Sequence, residues 1–258
     1  MAETIKSSQV ILIIEYDGTD YHGSQFQTNA PTVQEEIEKA LEKLTGKKIR
    51  IKMASRTDAG VHAAGQVAGF ITDSALPLES YVEGLNHFLP DDIAVREAYR
   101  PAATIDVRRR ATSREYRYSI LNRETRSPLK QRFTHRVAGE LDIKAMNKAC
   151  RALIGKKDLA SFVSSAEVAA KKNTIRKIIK AEFTREADMV HFDIAADSFL
   201  PHQVRNTIGA LLRVGRGKMT AAEFENMIEA KTPGLAGPTA PATGLCLVRV
   251  NYPEPLGR

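Results

Sequence analysis

The sequence predicts an α+β protein of two halves, each with a mixed, mainly antiparallel sheet. Three observations lead there. Apolar, β-branched runs of strand length are bounded by turn residues, and amphipathic stretches of helix length carry capping signals. In the first half these elements alternate as β-α-β-β-α-β, the ferredoxin-like (RRM-like) order. That order returns in the second half as topology, without residue-level repetition.

Val10 to Tyr16 is apolar and β-branched apart from Glu15, and Asp17-Gly18 closes it, which reads as a buried strand. Thr32-Val33-Gln34-Glu35 has the S/T-x-x-E capping-box pattern. Val33, Ile37, Leu41 and Leu44 follow at helical spacing before Gly46, so a helix with both ends marked is expected. Ile49, Ile51 and Met53 alternate with polar partners as a half-buried strand that leads into Ser55, and a second strand returns from Gln66 to Ile71. Leu78 to Phe88 reads as a helix with Tyr81, Leu85 and Phe88 on one face, and Ile93 to Tyr99 as a strand.

The second half starts with a strand at Arg114 to Asn122 and a helix at Ile143 to Ile154. Strands at Arg176 to Thr184 and Met189 to Ala195 follow, then helices at Gln203 to Val214 and Ala221 to Glu229, and a last strand near Leu245 to Val250. Lys130 to Gly139 and Ser164 to Asn173 lack periodicity and read as loops.

Composition narrows the function. With 43% hydrophobic and 27% charged residues in 258, the chain has the means to build a core. The net charge of +7 and pI near 9.4 favour a polyanionic partner, nucleic acid first. Cys150 and Cys246 both read as small core hydrophobes. With no CxxC and six scattered histidines, neither a metal centre nor a disulfide framework is expected. The polar N-terminus and the lack of any apolar run near the roughly 20 residues of a membrane span lead to the expectation of a cytoplasmic protein without membrane contact.

The segment from Ala54 to Ala63 joins two strands and gathers Arg56, Asp58 and two hydroxyls into one loop. Asp-Ala-Gly alone is ordinary turn chemistry. Basic residues cluster at Lys47, Lys48, Arg50 and Lys52, at Arg108, Arg109, Arg110, Arg114 and Arg117, and at Lys171, Lys172, Arg176, Lys177 and Lys180. Each cluster suits a solvated face, and together they suit a phosphate-lined surface.

The run SRTDAGVHA at 55–63 resembles the active-site signature of the tRNA pseudouridine synthase A family. Further matches are Tyr16-Asp17-Gly18 with Gly23 and Gln25, and Thr32-Val33-Gln34. Arg114 to Tyr118 fits an R-x-Y-x-Y element, Phe199 to Gly209 fits F-L-x-H-x-V-R-x-x-x-G, and Ala240-Pro241-Ala242 with Gly244-Leu245 fits a C-terminal element. The resemblance implies two ferredoxin-like halves joined around a central cleft, residues 1–105 carrying the catalytic aspartate loop and residues 106–258 completing the cleft. It implies a homodimer that isomerises uridines at positions 38, 39 and 40 of the tRNA anticodon stem-loop without a cofactor. Asp58 is then the catalytic carboxylate, Tyr116 the aromatic residue beside the base, Arg205 the basic partner of the aspartate, and Arg56 the residue that helps displace the base. Arg108, Arg109, Arg110, Arg114, Lys171 and Lys172 are the expected further RNA contacts. His62 and His202 are expected around the site without transferring a proton.

The sequence departs from that family at Ser24, where tryptophan is usual, at Ile105, Val107 and Lys157, and at Pro201. Two other classes fit less well. A purely RNA-binding protein of two RRM-like halves would need paired aromatic stacking positions, yet the RNP pattern is absent and aromatics are only 6% of the chain. A hydrolase using Asp58 would need a ligand cluster, a Ser-His-Asp pattern or a phosphate-cradling glycine loop.

Overall fold

The computed structural model describes residues 7–164, 173–254 and 256. It is a mixed α+β protein that divides into two compact units, Met1–Thr112 with Leu247–Arg258, and Ser113–Cys246. The first unit is therefore discontinuous in sequence. The C-terminal strand, placed with the second half by its position in the chain, belongs for most of its length with the first unit.

In the first unit the elements run β1 (Ser8–Tyr16), α1 (Val33–Thr45), β2 (Lys52–Met53), β3 (His62–Thr72), α2 (Leu78–Phe88) and β4 (Ile93–Tyr99). The strand order is β4-β1-β3, with β10 (Leu245–Asn251) beyond β3. Antiparallel pairing sets Ser8 against Thr72 and Tyr16 against Ala63 on one side of β1, and Ile11 against Tyr99 on the other. As the central strand of this unit, β1 buries Val10, Ile11, Leu12 and Ile14 completely, which is why it reads as an unbroken apolar run rather than an alternating one.

Helix α1 starts where its cap predicts, with the Glu35 amide donating to Thr32 Oγ1 at 3.3 Å, and ends at Gly46 in the left-handed region at φ 72°. It buries Val33, Ile37 and Leu41, each worth about 1.5–3 kcal/mol. The strand expected from Ile49 shortens to Lys52–Met53 because α1 takes its backbone groups. Glu38 Oε1 accepts the Ile51 amide at 3.1 Å, and Gln34 Nε2 donates to the Ile51 carbonyl at 3.3 Å. Phe88, expected on the buried face of α2, is 36% exposed and stands edge-on to His87, with Lys43 Nζ over its ring.

The second unit contains β5 (Ser113–Asn122), β6 (His135–Val137), α3 (Ile143–Cys150), β7 (Gly155–Asp158), β8 (Ile175–Glu186), β9 (Met189–Ala196), α4 (Gln203–Gly215) and α5 (Ala221–Ala230), with short 3-10 turns at 151–153, 160–162 and 242–244. Its strand order is β5-β9-β8-β7, antiparallel between β5 and β9, β9 and β8, and β8 and β7, while β6 runs parallel to β5. Strands β6 and β7 were not expected: β6 lies in a segment read as a loop, and the helix expected to reach Ile154 stops at Cys150. Both strands are too short to show a period of two. Phe183 stacks on Phe192 at 4.6 Å in the core, and Phe162 packs against Phe224. Cys150 is buried, with its thiol pushed up to about 12 by desolvation, whereas Cys246 is only half-buried.

Candidate active site

In the first unit, residues 54–61 join β2 to β3 and carry Arg56 and Asp58. The Val61 amide donates to the Asp58 carbonyl at 3.2 Å, and Gly60, at φ 75°, completes a tight turn. Arg56 is exposed and Asp58 half-buried.

The peptides before Asp58 are held by buried polar groups from three other segments. Ser24, wholly buried, accepts the Thr57 amide on its Oγ at 2.9 Å and donates its own amide to the Thr57 carbonyl at 3.1 Å. The Tyr16 hydroxyl lies 2.8 Å from Thr57 Oγ1. Gln66, also wholly buried, accepts the Ser55 amide on Oε1 at 3.2 Å and donates from Nε2 to the Ser55 carbonyl at 2.8 Å. Gly23 permits the approach: at φ 98°, a β-carbon there would stand 2.8 Å from the Thr57 carbonyl oxygen.

The far end of the loop is anchored by His62, which is 4% exposed. The Gly18 amide donates to its Nδ1 at 3.1 Å, and Asp17 Oδ1 lies 3.0 Å from the same nitrogen. Asp17 in turn accepts the Thr19 amide at 3.0 Å. The Tyr16-Asp17-Gly18 motif thus serves the aspartate loop directly, through a hydroxyl at one end and an amide at the other.

In the second unit, Tyr116 and Tyr118 lie on one face of β5, both buried. Tyr116 packs edge-on against Phe199, with ring centroids 5.3 Å apart. Tyr118 donates from its hydroxyl to the Pro241 carbonyl at 2.9 Å, and burial raises its phenol above the ordinary value. It is the more enclosed of the pair, at 0% exposure against 6% for Tyr116.

Arg205 lies in the first turn of α4. Its Nε donates to the Ala240 carbonyl at 2.8 Å, and its own carbonyl accepts the Ala240 amide at 3.1 Å. One turn later a β-carbon at Gly209 would meet the Pro238 carbonyl oxygen at 2.1 Å, so the glycine lets this face of the helix lie on residues 238–240. The two C-terminal motifs recognised in the sequence are therefore in direct contact. His202 adopts φ 57° ahead of α4 and makes no side-chain cap.

The basic clusters divide. Arg108, Arg109 and Arg110 are exposed on a turn built on Asp106, whose carboxyl, bonded by the Arg109 and Arg108 amides, is held below the usual carboxylate range. Arg114 is buried and its Nη1 donates to the Asp197 carbonyl at 2.8 Å. Arg117 makes a two-pronged pair with Asp193, and Lys47 and Arg50 pair with Asp73 and Glu38. Lys171 and Lys172 lie outside the described residues. Among the described residues, no group of three or more His, Cys, Asp or Glu is placed to hold a metal ion, and no helix is long and apolar enough to cross a membrane.

Sequence reasoning named Asp58, Tyr116 and Arg205, placed Phe199 only at the start of a motif and Ser24 only among the departures, and gave no part to Gln66. Gln66 carried a signal, a polar residue inside a strand. Ser24 carried one only as a departure from a family pattern.

The matches to known proteins cover most of these segments. The model of a family described as "tRNA pseudouridine synthase" matches residues 12–108 and 149–253. Arg56, Asp58 and Arg108 fall in the first stretch and Arg205 in the second, while Tyr116 lies between them. A relative named tRNA pseudouridine synthase A from Acetivibrio thermocellus is 45% identical over 243 residues, 94% of this chain and 99% of its own. Proteins of the same name from Geobacter sulfurreducens and Myxococcus xanthus are 42% and 43% identical, over 93% of this chain in each case and 98% and 91% of their own.

Proposed function

The chain belongs to the tRNA pseudouridine synthase family, and from that premise we propose that it isomerises uridine to pseudouridine at positions 38, 39 and 40 of the tRNA anticodon stem-loop, with Asp58 as the catalytic carboxylate and no cofactor. The observation that carries this reading is the loop itself. Asp58 stands half-buried on a segment whose preceding peptides are bonded on both sides, the form of support that a catalytic group requires.

The reaction breaks the bond from N1 to C1′, turns the uracil, joins C5 to C1′ and releases the C5 proton, so it is redox-neutral and its atoms balance without a co-reactant. An ionised carboxylate serves it by attack at C1′, by addition at C6 or by taking a proton from C2′. Arg205 is assigned the part of the carboxylate's basic partner. Tyr116 supplies a flat face for a base taken out of its stack, and Arg56 helps to displace it.

The exposed Arg108, Arg109 and Arg110 are the first candidates for phosphate contacts, followed by Lys171 and Lys172, while Arg114 braces the start of β5. Each unit is read as one ferredoxin-like half, and the active form as a cytoplasmic homodimer.

Incubation with unmodified bulk tRNA, followed by mapping of carbodiimide-dependent primer-extension stops, tests this directly. New stops at 38–40 are expected. Stops confined to other arms would refute the site assignment, and no stops at all would refute the activity.

A further inference from the structure

We propose that Ser24 is a positioning residue for Asp58, acting through the Thr57 peptide and without touching RNA. The proposal rests on Asp58 being the catalytic carboxylate.

Ser24 is 0% exposed, so any effect on the reaction must pass through its neighbours. Its Oγ takes the Thr57 amide and its amide takes the Thr57 carbonyl, so both polar groups of the Thr57 backbone are fixed by one residue. That carbonyl belongs to the planar unit leading into Asp58, so fixing the plane fixes the N–Cα bond of Asp58, and with the Asp58 carbonyl held by the Val61 amide on its other side, the direction of the side chain is narrowed from both sides. Ser24 is in turn held to α1, because its carbonyl accepts the Gln34 amide at 3.0 Å. The clamp is completed at the side chain of Thr57 by the Tyr16 hydroxyl, which Gln66 Nε2 approaches at 3.4 Å.

The backbone bonds could be made by any residue at position 24, but the bond to the Thr57 amide needs a side-chain acceptor. The Ser24 hydroxyl supplies that acceptor.

The test compares Ser24→Ala, Tyr16→Phe, the double variant and Asp58→Asn in one steady-state assay on tRNA, with thermal melts confirming the fold. Ser24→Ala is expected to lower kcat by about tenfold, a fraction of the loss that follows a full ångström of misplacement, while KM for tRNA stays within about twofold. Tyr16→Phe should show the same split, and the double variant should lose less than the product of the two because both residues hold Thr57. A folded Ser24→Ala with wild-type kcat, or with a raised KM alone, overturns the proposal. If Ser24→Ala does not fold, Tyr16→Phe decides by the same split. Asp58→Asn separates the two ideas. If it is active, the catalytic assignment fails; if it is inactive beside an unimpaired Ser24→Ala, only the positioning role fails.

Discussion

Replacing Gly18 by alanine should damage catalysis much more than stability, and the reason can be worked from the structure. A β-carbon at this position would stand 2.0 Å from the Val61 carbonyl oxygen, so the two backbones must part by about 1 Å to reach the closest approach, about 3.0 Å, that β-carbons make. Neither side is a flexible side chain. Val61 closes the turn onto the Asp58 carbonyl, and Gly18 itself bonds His62, so the displacement passes into the aspartate loop. Misplacing a reacting group by about 1 Å costs on the order of 10²-fold in rate, whereas overpacking a buried site costs about 1–3 kcal/mol. Gly46→Ala is the matched control. It forces a side chain into the left-handed region, at φ 72°, but nothing lies within 4 Å of its β-carbon, so it should cost about 1 kcal/mol and spare the rate. The assay is release of tritium from tRNA bearing 5-tritiated uridine, with urea melts run in parallel. A Gly18→Ala enzyme whose kcat stayed within threefold of wild type would refute the argument that this contact holds Asp58 in place.

Activity should survive excess EDTA, since among the described residues no group of three or more His, Cys, Asp or Glu is placed to hold a metal ion, and should need no added nucleotide or nicotinamide, since the isomerisation is redox-neutral; loss on chelation, restored by one particular metal, would show otherwise. Affinity for tRNA should fall log-linearly and steeply with salt, and charge reversal at Arg108, Arg109 and Arg110 should weaken binding to most tRNAs alike; a flat salt response in filter binding would remove the proposed phosphate contacts. Tyr118 should make the protein sensitive to alkali. Burial raises its folded phenol above the ordinary value near 10, so its contribution is fully present below about pH 10 and is lost as the pH climbs beyond it. Tyr118→Phe should be less stable near neutrality by about 1 kcal/mol, through loss of the bond to the Pro241 carbonyl, yet lose less of its stability between pH 8 and pH 10.5. Urea midpoints at the two pH values check the sign.

Much of the fold was legible because local and tertiary signals agree. Thr32 and Gly46 mark α1 in sequence and cap it in space, and the unbroken apolar run of β1 reports burial on both faces. Strands β6 and β7 were too short to show a period, and at β2 a distant group had intervened. Glu38 and Gln34 take the backbone of Ile51 and shorten β2, and no periodicity in residues 49–53 encodes that. The last strand could be found from its apolar residues, but its return to the first unit is a property of topology. The site shows the same division. Asp58, Tyr116 and Arg205 were singled out through the resemblance to a family's motifs, whereas Ser24 and Gln66 hold the loop through contacts 33 and 11 residues away in sequence, which a linear pattern does not display.

The assignment of Asp58 as the catalytic carboxylate is tested most directly by Asp58→Asn, which keeps the side chain's shape and removes its charge, nucleophilicity and basicity. Freshly purified variant, free of wild type, is saturated with tRNA and followed through a single turnover by tritium release, with filter binding on the same samples. Binding should match wild type or tighten slightly, because a negative charge facing the RNA is gone. Pseudouridine formation should fall below detection, a loss beyond the roughly 10² to 10⁴-fold usual for a single positioned acid or base. Turnover at a tenth of the wild-type rate would contradict the assignment and move the chemistry to another residue.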